Sequence, residues 1–224
     1  MEPIWIVLTT YKRLDLAIKT IQGLKENFRY DNIGWIITDD GSGPDHLNHL
    51  VSVVGPSYTV FTYDGNRKGV GHNMNWALHK VFDELNGSLI LMMEDDWYLE
   101  KPLDVEPYTK VLLNNPNAGM IRFGYAAAGI DAELVSHDNR LLWDLHRNSY
   151  TYRFSGHPSL RHKRFHDTYG YYAEGLAPGL TELDMCAKVN AKDGPRIYIP
   201  YEFNQWGAFG HIGSESLADV EPEK

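Results

Sequence analysis

Apolar positions along this chain follow two alternating rhythms, short unbroken runs and longer stretches at helical spacing. Residues 3–8 form an unbroken run, the pattern of a strand covered on both faces. Leu14, Ala17, Ile18, Ile21, Leu24 and Phe28 follow and fall on one face of a helix. Residues 35–38, 58–63 and 89–93 read as three further strands. Before the last of these, Val70, Met74, Ala77, Leu78, Val81 and Leu85 repeat the helical spacing. Helical character returns over residues 104–114 and stops before Pro116, and residues 119–123 read as a fifth strand. Strands alternating with helices predict βαβ units, hence an α/β fold with a mostly parallel central sheet flanked by helices. From about residue 124 to residue 179 neither rhythm holds, while aromatics, histidines and arginines are dense. That stretch predicts irregular structure laid over the sheet edge. A last helix is expected over 181–192 and a short strand over 197–199, before Pro200. Residues 214–224 are polar and acidic and read as a mobile tail.

The polar residues that punctuate this pattern carry the candidate chemistry. Thr9-Thr10-Tyr11-Lys12-Arg13, Asp39-Asp40-Gly41-Ser42 and Glu94-Asp95-Asp96 each follow a predicted strand. A parallel sheet gathers such strand ends onto one rim, where open α/β folds bind ligands. An isolated Glu-Asp-Asp would read as a solvated acidic turn; its place among the other clusters changes that reading. Carboxylates this dense repel one another and lose solvation, so a cation is expected among them. Mg²⁺-type ions prefer one or two carboxylates together with phosphate oxygens, which makes a metal-bound diphosphate the expected guest. A fourth cluster, residues 66–75, leads from a strand into a helix, and its glycines allow close backbone approach to phosphate. It is not a dinucleotide fingerprint: Met74 stands where the third glycine of G-x-G-x-x-G belongs.

Composition narrows the class further. The 224 residues, 43% hydrophobic and 23% charged, suit an ordinary globular domain. No apolar run reaches the roughly 18 residues that span a bilayer, so no membrane insertion is expected. The N-terminus lacks the features of a signal peptide, and Cys186 is the single cysteine, which excludes an internal disulfide framework. Both point to a cytoplasmic location. The net charge of −9 argues against a nucleic-acid-coating surface. The charge is uneven, however. Residues 137–166 hold six basic and two acidic side chains, a net +4 that leaves −13 on the rest, and such asymmetry suggests a local anionic partner.

Together the four clusters resemble the nucleotide-sugar glycosyltransferases of the GT-A fold, in particular the family 2-like group. The resemblance covers residues 4 to about 211 and implies a single GT-A (Rossmann-like) domain over 1–213. Residues 1–123 would form its nucleotide-sugar-binding half, and 124–213 the acceptor-binding and catalytic-base half. It implies donor binding by Thr9, Thr10, Tyr11 and Arg13, by Asp39 and Asp40 at the nucleobase, and by Asn66, Gly71 and Asn75 beside the ribose. Glu94-Asp95-Asp96 falls at the D-x-D position: Glu94 and Asp95 would support donor or metal, and Asp96 would ligate Mn²⁺ or Mg²⁺. His211, between glycines near the end of the chain, resembles a late histidine that completes the metal site in some members.

Gly170-Tyr171-Tyr172-Ala173-Glu174 is similar to the G-x-F-x-E turn of the same group. Thr181-Glu182 stands where inverting members carry an acidic pair, which puts Glu182 on the catalytic base, with Asp184 as the alternative. Glu182 also suits the first turn of a helix, whose dipole favours an acid there. The implied reaction is transfer of a sugar from a nucleoside-diphosphate sugar, UDP-sugar by default, to an acceptor hydroxyl with inversion; the family leaves retention open. The basic, aromatic segment, with Arg153, Arg161, Arg164 and Tyr172, and the later Trp206 are the expected acceptor-binding residues. A surface saccharide, a lipid-linked diphosphate sugar and a modified DNA base all fit as acceptors. Two other classes stay open, a nucleotidyltransferase and a non-catalytic nucleotide- or sugar-binding module.

Overall fold

The computed structural model of the chain describes residues 1–124, 132–145, 153–203 and 206–213. In chain order its elements are β1 (Ile4–Thr10), α1 (Leu14–Asn27), β2 (Phe28–Arg29), β3 (Ile33–Asp39), α2 (Pro44–Val54), β4 (Val60–Asp64), α3 (Val70–His79), β5 (Leu89–Glu94), β6 (Trp97–Leu99) and β7 (Leu103–Asp104). There follow α4 (Glu106–Asn114), β8 (Ala118–Arg122), β9 (Glu133–His137), β10 (Arg140–Asp144), β11 (Ser159–His162), α5 (Arg164–Tyr169), α6 (Pro178–Ala191), β12 (Arg196–Pro200) and β13 (Phe209–His211).

Nine strands form one sheet in the order β4-β3-β1-β5-β11-β8-β12-β10-β9. β4, β3, β1 and β5 are mutually parallel. β11 enters antiparallel to both β5 and β8, so β8 and its parallel neighbour β12 regain the direction of β5. The carboxyl ends of β4, β3, β1, β5, β8 and β12 therefore share one rim, and the polar clusters gather there. The unbroken apolar runs have a simple cause. Ile6 and Leu8 of β1 and Leu91 and Met93 of β5 face a core shared with α1, α2 and α4. The alternate residues Val7, Ile90 and Met92 face a second core shared with α3, α5 and α6. With helices on both faces, a strand has no polar side to show.

Three features depart from the expectation. The stretch read as irregular contains β9, β10, β11 and α5. β9 and β10 are joined by Asp138 and Asn139, both at positive φ (48° and 61°), the backbone of a two-residue hairpin turn. Second, α2 forms between the second and third predicted strands, where no helix is expected, and packs Leu47, Leu50, Val53 and Val54 on the core. Third, the helix after residue 70 widens past His79 into a π-turn over Lys80–Glu84, closed by Leu85 N–H to the Lys80 carbonyl at 3.0 Å. Arg147, Tyr150 and Tyr152 of the basic segment, and the acidic tail over 214–224, lie outside the described residues.

Candidate active site

The acidic cluster sits where β5 ends and turns into β6. Asp95 has no solvent exposure and Asp96 only 6%. The cation among them is Arg13, from the loop after β1: its guanidinium pairs with Asp95, and its Nη1 lies 2.8 Å from Asp96 Oδ2. β13 pairs with β6 so that His211 stands opposite Trp97, and this brings His211 Nε2 to 3.3 Å from the same Asp96 oxygen. The chain passes Asp96 so closely that a Cβ on Gly213 would lie 2.7 Å from Asp96 Oδ2. Asp96 Oδ1 is buried without a hydrogen-bond partner. Among the described residues no three His, Cys, Asp or Glu side chains stand together as a metal cage. The donor set of Asp96 and His211, with one orphaned carboxylate oxygen, fits a cation that completes its shell from a diphosphate and water.

Crowding shows in the protonation of the cluster. Burial, then the charges of Asp96 and Asp95, push Glu94 up to about 8. Burial also pushes Asp95 up to about 7, against the pull of Arg13 and a hydrogen bond from Thr10. The folded state therefore keeps protons that the unfolded chain releases. The Glu94 contribution is complete below its ordinary value of 4.5 and is lost as pH rises through about 8. In EDTA, the melting temperature is expected to fall between pH 5 and pH 8 more steeply for the wild type than for Glu94→Gln; equal slopes in thermal melts would refute the assignment.

The Asp39-Asp40-Gly41-Ser42 cluster is occupied by its own backbone. Asp39, fully buried, accepts from Gly41 N–H at 3.0 Å and from Ser42 N–H and Oγ, both at 2.5 Å. Its neighbour His46 also contacts Thr10 Oγ1, at 3.1 Å. Asp40 accepts from Gly69 N–H at 3.0 Å and so ties the loop that opens α3 to the end of β3. Asn66 and Arg67 both take positive φ in that loop, and Asn66 is exposed. The Arg67 guanidinium covers the Tyr11 ring at 4.7 Å and donates to its hydroxyl. Thr9 and Thr10 are each only 5% exposed. Of the expected donor residues, Tyr11, Asp40 and Asn66 line the open side of the rim, while Asp39, Thr9 and Thr10 support it from within.

Next to the acidic cluster lies a cavity of about 190 Å³, lined by Glu94, Glu182, Tyr172, Phe154, Val70 and Met74 among others. α6 starts at Pro178, three residues earlier than expected, so Glu182 lies in its second turn and not at the helix start where the dipole would favour an acid; its Oε1 accepts from Gly156 N–H at 2.8 Å. Asp184, the alternative base, is ion-paired with Lys188 at 2.6 Å and does not line the cavity. Asn75 builds the wall. Its amide donates to the Tyr172 carbonyl at 3.0 Å and to Glu174 at 2.9 Å, and its Oδ1 accepts from Tyr172 N–H at 2.9 Å. Those bonds, in a residue only 6% exposed, make Asn75 a bracket for the 170–174 turn rather than a free donor ligand. Gly71 serves the same packing, since a Cβ there would run into the Ala173 carbonyl oxygen.

The basic segment divides. Arg161 is fully buried under Phe154 and Phe165, donating to the Tyr172 hydroxyl and, at 2.9 Å, to Ser159 Oγ. Arg164 donates to the carbonyls of Leu112 (2.6 Å) and Ala118 (2.8 Å), closing the end of α4. Neither guanidinium is presented to an acceptor, which corrects the expectation: in both, the charge is spent on internal oxygens. Tyr172 is 6% exposed and lines the cavity. Arg153 is half-buried, and its carbonyl accepts from Arg122 at 2.9 Å. Trp206 does not pack against the sheet edge: it is 86% exposed. His157 went unnoticed in the sequence because it falls in an aperiodic stretch. Its ring and that of His211 each lie 4.9 Å from Trp97, and burial followed by Arg122 pushes His157 down to about 3.

Rim, acidic cluster and adjoining cavity together define a class: the chain has the GT-A glycosyltransferase fold. Among solved structures it is similar to the mannosyltransferase PcManGT from Pyrobaculum calidifontis in complex with GDP-Man and Mn²⁺ (TM-score 0.60, 14% identity, 88% of this chain and 54% of that one). It is also similar to S. aureus TarS 1–349 in complex with UDP-GlcNAc (TM-score 0.66, 14% identity, 96% of this chain and 62% of that one). A longer TarS structure matches at TM-score 0.65 and 15% identity over 96% of this chain and 37% of its own. The chain thus spans between about a third and two thirds of the length of these structures. No protein-family model and no curated protein matches it.

Proposed function

We propose that this chain is a metal-dependent glycosyltransferase that moves a sugar from a nucleoside-diphosphate sugar, UDP-sugar by default, to an acceptor hydroxyl with inversion. The observation that carries the reading is the cavity that Glu94 and Glu182 line together, one residue along the chain from the Asp95–Asp96 pair. Complexes of similar folds with GDP-Man and with UDP-GlcNAc support a nucleotide-sugar donor. Asp96 and His211 would hold Mn²⁺ or Mg²⁺, and the ion supplies neutralisation of the diphosphate leaving group. Glu182, steadied by Gly156 N–H, takes the proton from the attacking acceptor hydroxyl. Asp184 is the weaker candidate for that task because Lys188 holds it. Tyr11, Asp40 and Asn66 meet the nucleoside, and Trp206 and Arg153 meet the acceptor, which stays open among saccharide, lipid diphosphate and DNA. No helix among the described residues is long and apolar enough to cross a membrane. The cytoplasmic site of action is assigned on the single cysteine, Cys186.

The test is a thermal-shift screen against UDP, GDP, dTDP and CMP, each with Mn²⁺ and with EDTA. A ligand at a hundredfold its dissociation constant adds about 2.7 kcal/mol. For a domain this size that is a rise of roughly 5–10 °C. A metal-dependent rise with a single nucleotide names the base; flat melts with every nucleotide would sink the donor-site reading.

A further inference from the structure

The acidic cluster already contains a cation of its own. Arg13 spans Asp95 and Asp96 with two guanidinium nitrogens, and its Nη1 takes Asp96 Oδ2, the oxygen that also faces His211. The other Asp96 oxygen is buried and unpartnered, so the carboxylate is only half used. Arg13 keeps 19% of its side chain in solvent while Asp95 keeps none, so the arginine is the less buried partner of the pair. A divalent ion at Asp96 would stand beside this guanidinium in a largely buried site, where like charges repel more strongly than in water. If Arg13 gives way with nothing to receive it, a partly buried guanidinium loses half its fork, which is unfavourable. A diphosphate changes this, because arginine forks match phosphate oxygens as well as they match carboxylates.

We infer that Arg13 is an internal counter-ion that competes with the divalent cation for Asp96, so that the cation binds tightly only together with a nucleoside diphosphate, whose phosphates receive the displaced guanidinium. The inference rests on the metal-dependent reading above. By linkage, the factor by which nucleotide tightens the cation is the factor by which the cation tightens nucleotide. Arg13 is thereby a positioning residue that offsets carboxylate charge in the empty site and couples the two ligands.

The experiment follows Mn²⁺ binding through loss of the free-ion electron paramagnetic resonance signal. Wild type, Arg13→Gln, Arg13→Lys and Asp96→Ala are titrated with Mn²⁺ alone and with saturating UDP or GDP. In the wild type, nucleotide is expected to tighten Mn²⁺ by about tenfold or more. Arg13→Gln is expected to bind Mn²⁺ alone about tenfold more tightly than wild type and to lose most of the nucleotide effect. Arg13→Lys, which keeps the charge without the fork, should fall between them. Arg13→Gln binding Mn²⁺ alone no better than wild type overturns the inference, as does tight binding by the wild type without nucleotide, and in both cases the proposed activity stands. Mn²⁺ binding by Asp96→Ala equal to wild type removes the metal assignment itself, and the inference with it. If circular dichroism shows Arg13→Gln unfolded, Arg13→Lys decides: no tightening relative to wild type overturns the inference.

Discussion

Glu182→Gln is expected to leave nucleotide binding unchanged and to lower sugar transfer by about 10²–10⁴-fold, the span that a positioned general base contributes. The substitution is close to isosteric. The glutamine amide oxygen can still accept from Gly156 N–H, which Glu182 Oε1 does at 2.8 Å, so the cavity wall keeps its shape while the site loses its proton acceptor. Asp184→Asn is the matched control. It breaks an i,i+4 pair with Lys188 on a partly exposed helix face, a contact worth little to stability, and it should retain nearly full rate. The readouts are initial rates of nucleoside diphosphate release with donor and acceptor, and thermal shift with nucleotide and Mn²⁺. Full activity in Glu182→Gln with loss in Asp184→Asn would transfer the base role to Asp184. Loss of nucleotide binding in Glu182→Gln would make the side chain part of the donor site instead.

The strands that carry the site were readable because helices cover both faces of the sheet. β1 and β5 have no polar alternation to blur, and the residues that end them are polar because they emerge on the rim. What the sequence could not show was which residue meets which. Arg13 lies 82 positions from Asp95 along the chain, and nothing in its local context separates a donor-loop arginine from the counter-ion of the acidic cluster. Similarly, Asn75 reads as a polar residue on a helix, yet its three hydrogen bonds all go to a turn about 97 residues away. β11 was hidden for a different reason. It is four residues long and carries Arg161, a charge that belongs in a buried strand only because Tyr172, Ser159 and two aromatic rings receive it. The β9–β10 hairpin, by contrast, left a signal, since Asp-Asn between two runs with apolar residues is the composition of a positive-φ turn.

Gly71 and Gly179 look alike as sequence, each near the start of a helix, and the structure predicts opposite outcomes for replacing them by alanine. At Gly71 the new methyl would press on the Ala173 carbonyl oxygen, a backbone atom that cannot rotate away, with Thr181 Cγ2 close behind at 3.5 Å. To make room, α3 and the 170–174 turn must part, and that same separation strains the three bonds of Asn75 to Tyr172 and Glu174. Overpacking of this kind costs about 1–3 kcal/mol and, with the bracket weakened, the upper end is expected. For a domain of this size that is a fall in melting temperature of roughly 6–12 °C. At Gly179 nothing lies within 4 Å of the new Cβ and the position is inside α6, so alanine should be neutral or stabilise by up to about 1 kcal/mol through helix propensity. Thermal melts of the two variants decide the matter, with nucleotide shifts measured alongside. A Gly71→Ala protein as stable as wild type that no longer binds nucleotide would restore the phosphate-approach role that its sequence context suggests. A destabilised one whose remaining folded fraction still responds to nucleotide would assign Gly71 to the packing of α3 against the 170–174 turn and α6.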